Sequence, residues 1–369
     1  MQKQTLVTLA FCGLLALSAA VSQSAYTPEE LTALSSKSSD FVTKLNSTDI
    51  PNLSPGEYMI QFEDVCPGNP LFDHKNQIYF VYLPTNFKRT ANVSLGIVAF
   101  ISHTNQWGMW SLYKDIFDSR NLIYICPQNV GNMVEDLQRH AAGTAGLAYF
   151  QAVLPLDPTR IYVSGLSGGA RIACQMGFDN GTWITGIVGI CGCDYKRKVT
   201  LDSGADPSYG FYDSYPLPND VLAANLRVAI ITGTNDFLDV NLNNIYYNGI
   251  VEDGLTGWLI DVPGMGHEMA DYASYDQALG YLDDNRPQCQ YPCKTCRVTD
   301  RSDCTGCFES MSMSLYIADP TSKGICVQSC PDGFYSYGGL CIANCPEGTT
   351  AMNDGFRNIC YGEATEESE

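Results

Sequence analysis

Residues 156–178 read LDPTRIYVSGLSGGARIACQMGF. Arg160 to Ser164 has the apolar, β-branched character of a buried strand, and the stretch from Gly168 to Gly177 has that of a helix. Between them, Gly165-Leu166-Ser167-Gly168-Gly169 matches the pattern G-x-S-x-G. In that pattern a strand ends in a turn so sharp that the serine hydroxyl projects above the sheet where a helix begins, and the glycines supply the space. The segment therefore predicts strand, serine and helix in that order, and with them an α/β fold.

Working outward, seven more runs read as strands: Glu57 to Phe62, Gln77 to Leu83, Leu95 to Ile101, Leu122 to Cys126, Ile184 to Ile190, Arg227 to Thr232 and Trp258 to Val262. LGIVAFI, IYVSG and VAIITG are almost continuously apolar, as strands buried on both faces of a parallel sheet are. Helix-type runs lie at Met109 to Phe117, Val134 to Val153, Gly168 to Gly177 and Met269 to Asp283. Alternation of this kind predicts an α/β sandwich over residues 56–286, built on a mostly parallel eight-stranded sheet with its first two strands antiparallel. Residues 26–55 form a polar extension in which Leu31, Leu34, Phe41 and Leu45 suggest one amphipathic helix. The Tyr-rich stretch from Cys193 to Asn219 interrupts the pattern and is either a lid over the site or a passive surface loop.

Serine is a poor nucleophile near neutral pH, so a base must take its proton and an acid must hold that base in the right tautomer. Of the four histidines, His267 lies in PGMGHEMAD just after the last strand and is the expected base; His74 lies in an early loop, and His103, at the end of the third strand and so at the site mouth, and His140, inside a helix, read as structural. The acid is expected after the seventh strand, where Asp236 follows Gly233 by three residues and Asp239 could reach the same place. Two backbone N–H groups should face the developing oxyanion, one from Gly168 and one from Thr104 in ISHTNQW. The α/β part offers no metal-ligand spacing: His267-Glu268 lacks the second histidine of a zinc-peptidase helix, and no cofactor motif is present.

With 369 residues, 45% apolar and 17% charged, the chain is unlike collagen, a disordered chain or a polytopic membrane protein. Forty acidic against 21 basic side chains, a net charge of −19, argue against binding nucleic acid or an anionic membrane surface. Residues 1–20 read as a signal peptide, with Lys3, an apolar run from Leu6 to Leu17, and Ser18, Ala19 and Ala20 before polar sequence. That run is shorter than a membrane span, so the expected product is secreted or held in the lumen of a secretory compartment. Glycosylation patterns stand at Asn46, Asn92 and Asn180, and a fourth at Asn52 is compromised by the proline after its serine.

Ten of the sixteen cysteines fall in residues 289–361: Cys289, Cys293, Cys296, Cys304, Cys307, Cys326, Cys330, Cys341, Cys345 and Cys360. CVQSCPDG from Cys326 and CIANCPEG from Cys341 are an internal repeat. The C-x2-C pairs Cys293/Cys296 and Cys304/Cys307 would suit zinc, but the gap between them is short for a zinc ribbon and a signal peptide precedes the chain. Disulfides are expected instead, in a small region too poor in Leu, Ile and Val to fold without staples. Ten cysteines allow five bridges, and spacing leaves the pairing open. Cys66, Cys126, Cys174, Cys191 and Cys193 are odd in number, with Cys174 expected as a buried free thiol. Residues 362–369 form an acidic tail.

LDPTRIYVSGLSGGARIA, NLIYICPQNVGN, TGTNDF and PGMGH together resemble the α/β-hydrolase fold, and within it the secreted esterases related to polyhydroxybutyrate depolymerases and feruloyl esterases. The resemblance runs over roughly Pro55 to Asn285 and implies a triad in the order Ser167, Asp236, His267. It implies hydrolysis of a small-molecule or polymeric carboxylic ester through an acyl-enzyme. One departure is Ser102-His103, which stands where such enzymes commonly have His-Gly. The cysteine-rich tail resembles furin-like repeats, which implies a spacer or a site for an extracellular partner. Two other readings use the same sequence: a non-catalytic binding or adhesion protein on a hydrolase-like scaffold, and a serine peptidase or lipase using the same three residues.

Overall fold

The computed structural model describes residues 42–45, 49–62, 76–87, 94–109, 111–212, 217–297, 299–319 and 321–362. Residues 1–20, expected from the sequence to be a signal peptide, and Leu31, Leu34, Phe41, Asn46, Cys66, His74, Asn92, Trp110 and residues 363–369 lie outside them.

Nine strands form one sheet: β1 (Val42–Leu45), β2 (Gly56–Phe62), β3 (Ile78–Leu83), β4 (Leu95–Ile101), β5 (Leu122–Pro127), β6 (Leu156–Leu166), β7 (Gly186–Ile190), β8 (Arg227–Gly233) and β9 (Thr256–Val262). Their order is β1-β2-β3-β5-β4-β6-β7-β8-β9, and β3 alone runs against its neighbours. This is the mostly parallel α/β sandwich expected from the sequence, with one correction. The sheet has nine strands, because Val42–Leu45 is an edge strand pairing in parallel with β2 where a helix reaching Leu45 was expected. A four-residue strand has too short a period to be told from a helical turn by pattern alone.

Alternation along the central strands divides the core. Ile97, Ala99 and Ile101 of β4 face one layer and Val98 and Phe100 the other. The first layer is covered by α2 (Asp136–Val153) and α3 (Gly168–Asp179), through residues such as Phe150, Ile172, Met176 and Phe178. The second is covered by α1 (Lys114–Arg120) and α6 (Tyr272–Asp284), through Ile116, Phe117, Leu279 and Leu282. Each such side chain contributes roughly 1.5–3 kcal/mol by burial. Arg160 and Tyr162 of β6 both bond Asp283 of α6, at 2.8 Å each, so the strand that leads to Ser167 is also held by a part-buried charge pair. Two short helices absent from the sequence reading, α4 (Asn219–Asn225) and α5 (Asp239–Ile245), flank β8.

The chain leaves β4 toward β5 on one side and returns to β6 on the other, so the connections diverge at the carboxyl ends of β4 and β6. Open α/β sheets form their ligand crevice at such a switch point.

Residues beyond α6 form a two-stranded sheet, β10 (Cys293–Arg297) with β11 (Asp300–Cys307), and a six-stranded one. The second comprises β12 (Ser314–Tyr316), β13 (Ile325–Val327), β14 (Tyr335–Tyr337), β15 (Leu340–Ile342), β16 (Thr350–Asn353) and β17 (Asn358–Tyr361). Five disulfides join Cys289–Cys296, Cys293–Cys304, Cys307–Cys326, Cys330–Cys341 and Cys345–Cys360. The internal repeat explains part of this pattern: in each unit the second cysteine reaches forward to the cysteine that opens or closes the next hairpin. Cys126, Cys174, Cys191 and Cys193 are unpaired and buried. Among the described residues, no helix is long and apolar enough to cross a membrane.

Candidate active site

Ser167 stands between β6 and α3 with φ 57° and ψ −123°, a backbone conformation that a side chain rarely adopts. Close packing holds it there. A Cβ at Gly165 would stand 2.5 Å from the carbonyl of Gly169, and one at Gly169 would stand 2.0 Å from the carbonyl oxygen of Ile101. The glycines of the motif thus let the elbow press against the end of β4. Gly168 begins α3, where the first N–H groups have no partner within the helix and point toward the serine end.

The loops after β8 and β9 are hydrogen-bonded to one another. Thr234 accepts from the Gly264 N–H at 2.9 Å, Asn235 donates to the Gly264 carbonyl at 3.1 Å, and the Asn235 N–H donates to the Met265 carbonyl at 3.0 Å. This pairing sets His267 above Ser167. Its Nε2 lies 2.7 Å from Ser167 Oγ, and its Nδ1 lies 2.8 Å from Asp236 Oδ1. Asp236 is 5% exposed and also accepts from the Leu238 N–H at 3.0 Å and the Thr232 hydroxyl at 3.1 Å. Burial alone would raise its carboxyl, but hydrogen bonds from His267, the Leu238 N–H and the Cys191 thiol outweigh it and hold the group below the usual carboxylate range. It stays ionised near neutral pH.

Of the two acids left open by the sequence, Asp236 is the one on His267. Asp239 starts α5 and accepts instead from the Asn243 side chain at 2.9 Å. Burial and the charges of Asp261 and Asp236 raise its carboxyl.

Thr104 departs from expectation. Its N–H donates to Ser102 Oγ at 2.9 Å, so that backbone donor is already engaged within its own turn and does not face the serine unpaired. The hydroxyl two residues back satisfies it locally, a competition that serine offers wherever a strand runs into a turn. His103 sits edge-on to Trp107, and burial, His267 and Arg139 lower its imidazole. His140 is buried within α2, with Asp179 at 3.7 Å as its charged neighbour; burial lowers it to about 4. Asn180 caps α3, its amide donating to the Met176 carbonyl at 3.0 Å.

Three contributors carried no sequence signal. Cys191, at the end of β7 with φ 49°, places its thiol against the Gly266 and Glu268 carbonyls on either side of His267, at 3.5 and 3.3 Å. Burial and the Asp236 charge push this thiol up, so it remains protonated. Phe237 lies against the His267 ring at a centroid distance of 4.3 Å and is 65% exposed. Arg139, buried in α2, donates to the carbonyls of Ser102 and Val130, tying together the loops after β4 and β5. Cys191, Asp236 and His267 are also the one group among the described residues whose ligand atoms, all within 4.8 Å, could hold a cation. Those atoms are already joined to one another or to backbone by hydrogen bonds.

No protein-family model matches the chain, and no curated protein matches it. Among solved structures it is similar to an arylesterase (14% identity, 74% of this chain and 96% of that one, TM-score 0.45). It is also similar to an esterase of Thermogutta terrifontis (17%, 62% and 93%, 0.44) and to a puromycin-hydrolyzing peptidase of Mycobacterium tuberculosis (15%, 62% and 39%, 0.44). The chain spans about two fifths of the length of that peptidase and nearly all of each esterase. Likenesses of this size leave the assignment of function to the geometry of the site.

Proposed function

We propose that this protein is a secreted serine hydrolase that cleaves carboxylic esters through an acyl-enzyme. The observation that carries the reading is the unbroken hydrogen-bond chain from Ser167 through His267 to buried Asp236, at 2.7 and 2.8 Å. Asp236 fixes the tautomer with hydrogen on Nδ1, which leaves Nε2 to take the Ser167 proton as Oγ attacks the ester carbonyl. The imidazolium formed is stabilised by the Asp236 carboxylate, and the Gly168 N–H faces the oxyanion. Nε2 then protonates the departing alcohol. Water, deprotonated by the same nitrogen, attacks the acyl-enzyme, releases the acid and restores Ser167.

An ester with an apolar acyl or alcohol portion suits the approach, because Phe237, 65% exposed, stands against the base. A peptidase or lipase would use the same three residues; the acyl donor alone separates these readings. Secretion is supported by five disulfides in one short region, since such bridges persist in oxidising compartments. The tail's extended, stapled hairpins suit a spacer or a site for an extracellular partner.

Turnover of p-nitrophenyl acetate and butyrate by the oxidised full-length protein tests this, beside peptide amide and long-chain ester substrates. Hydrolysis of the short esters, with fluorophosphonate attached at Ser167 and both lost in Ser167→Ala, is the expected result. A folded wild type that neither turns over any of these substrates nor takes the label overturns it and leaves the scaffold a binding protein.

A further inference from the structure

An oxyanion in this site needs a second donor, and the Thr104 N–H is engaged with Ser102 Oγ. The neighbouring loop supplies a free one. Asn132 follows Gly131 in the turn between β5 and α2, and its side chain is solvent-exposed with no hydrogen-bond partner among the described residues. That carboxamide lies directly against the elbow: a Cβ built on Gly168 would stand 2.2 Å from its Oδ1, 2.8 Å from its Cγ and 2.9 Å from its Nδ2. The Asn132 amide thus occupies the space that an ordinary side chain after Ser167 would fill, next to the residue that the proposed chemistry uses as the first oxyanion donor.

The loop that carries it is held in place. The Asn132 N–H donates to the His103 carbonyl at 3.0 Å, the Gly131 N–H donates to Asn105 Oδ1 at 3.0 Å, and the Asn129 N–H donates to the Asn105 carbonyl at 2.5 Å. Buried Arg139 joins the same two loops from below through the Ser102 and Val130 carbonyls. A donor on a loop fixed before the reaction has only its own last torsion to set when charge develops. A half-turn about the last side-chain bond exchanges Oδ1 and Nδ2, so the amide can present its N–H to the site without moving the loop.

Resting on the serine-hydrolase reading above, we propose that the Asn132 side-chain amide is the second oxyanion donor, completing with the Gly168 N–H the pair that the β4 loop leaves incomplete. It touches the charged oxygen, so its contribution falls on the transition state and not on ground-state binding.

The test is a set of variants assayed with the short p-nitrophenyl esters. Asn132→Ala is expected to lower kcat by about 10²–10³-fold with KM changed by no more than a few-fold. Binding of a boronic acid that forms a tetrahedral adduct on Ser167 should weaken by a similar factor. Gly168→Ala crowds the amide away and should cost about as much, and the double variant should be no slower than the worse single one. Ser102→Ala, which frees the Thr104 N–H, should not restore Asn132→Ala. An active, phosphonate-labelled wild type whose Asn132→Ala variant keeps kcat within threefold overturns this proposal alone, and rescue by Ser102→Ala would assign the donor to Thr104. An inactive, unlabelled wild type overturns the parent reading.

Discussion

The two parts of this chain are held together by different physics. In the α/β part, residues from every strand from β2 to β9 and from each of α1 to α6 bury into two continuous apolar layers, and its four described cysteines are unbridged. In the tail the buried cluster consists of Cys293, Cys304, Met313, Leu315 and Cys326, so three of its five members are half-cystines. Strands there are as short as three residues, too short to hide much surface on either face. Where burial can supply the free energy, cysteine is free to serve as a small buried group, as Cys191 does beside Asp236. Where burial cannot, cross-links restrict the unfolded chain instead.

The largest effect that would sharpen this contrast lies in the α/β part. On the proposed chemistry Asp236→Asn leaves the packing intact but presents the wrong tautomer of His267, so kcat should fall by about 10⁴-fold. Asp239→Asn, removing a carboxylate that bonds only within its own helix, should change kcat by less than twofold. Steady-state kinetics of the two variants measures both, and equal losses would place the acid elsewhere.

Reduction divides the molecule next. Each tail bridge should stabilise by about 2–5 kcal/mol, whereas the α/β part has none among its described residues to lose. Mild dithiothreitol should therefore open residues 289–361 to limited proteolysis, read by mass spectrometry, while ester turnover stays near its oxidised value. Loss of activity in step with tail cleavage would show that the two parts fold as one.

The smallest effect concerns a buried titratable ring on α2. Burial lowers His140 to about 4, and Asp179 at 3.7 Å stands beyond hydrogen-bond distance, so the neutral ring is the folded form. An unfolded chain titrates near 6.5, so between the two values the unfolded state binds more protons and stability rises with pH. The contribution is complete above about pH 6.5 and is lost as pH falls, approaching about 3 kcal/mol near pH 4. Urea unfolding at pH 7 and pH 4.5 should show this loss in wild type and a correspondingly smaller one in His140→Gln.

Much of the architecture was legible because periodicity is local. LGIVAFI, IYVSG and VAIITG could only be strands covered on both sides, and G-x-S-x-G located the serine where one of them meets a helix. The density of cysteine after Cys289 likewise marked a region that needs cross-links, though not which cysteines meet. Other features were settled only in three dimensions. Val42–Leu45 is a strand because β2 offers it an open edge. Asp236, and not Asp239, reaches His267 because the loops after β8 and β9 pair through Thr234, Asn235 and Gly264. Thr104 is withdrawn by a hydroxyl two residues away, while Asn132 comes to Gly168 and Cys191 to Asp236 from the loops after other strands. Residue type and spacing determine which chemistry a segment can carry; which side chains touch depends on loops packed across the sheet, at separations a local pattern does not encode.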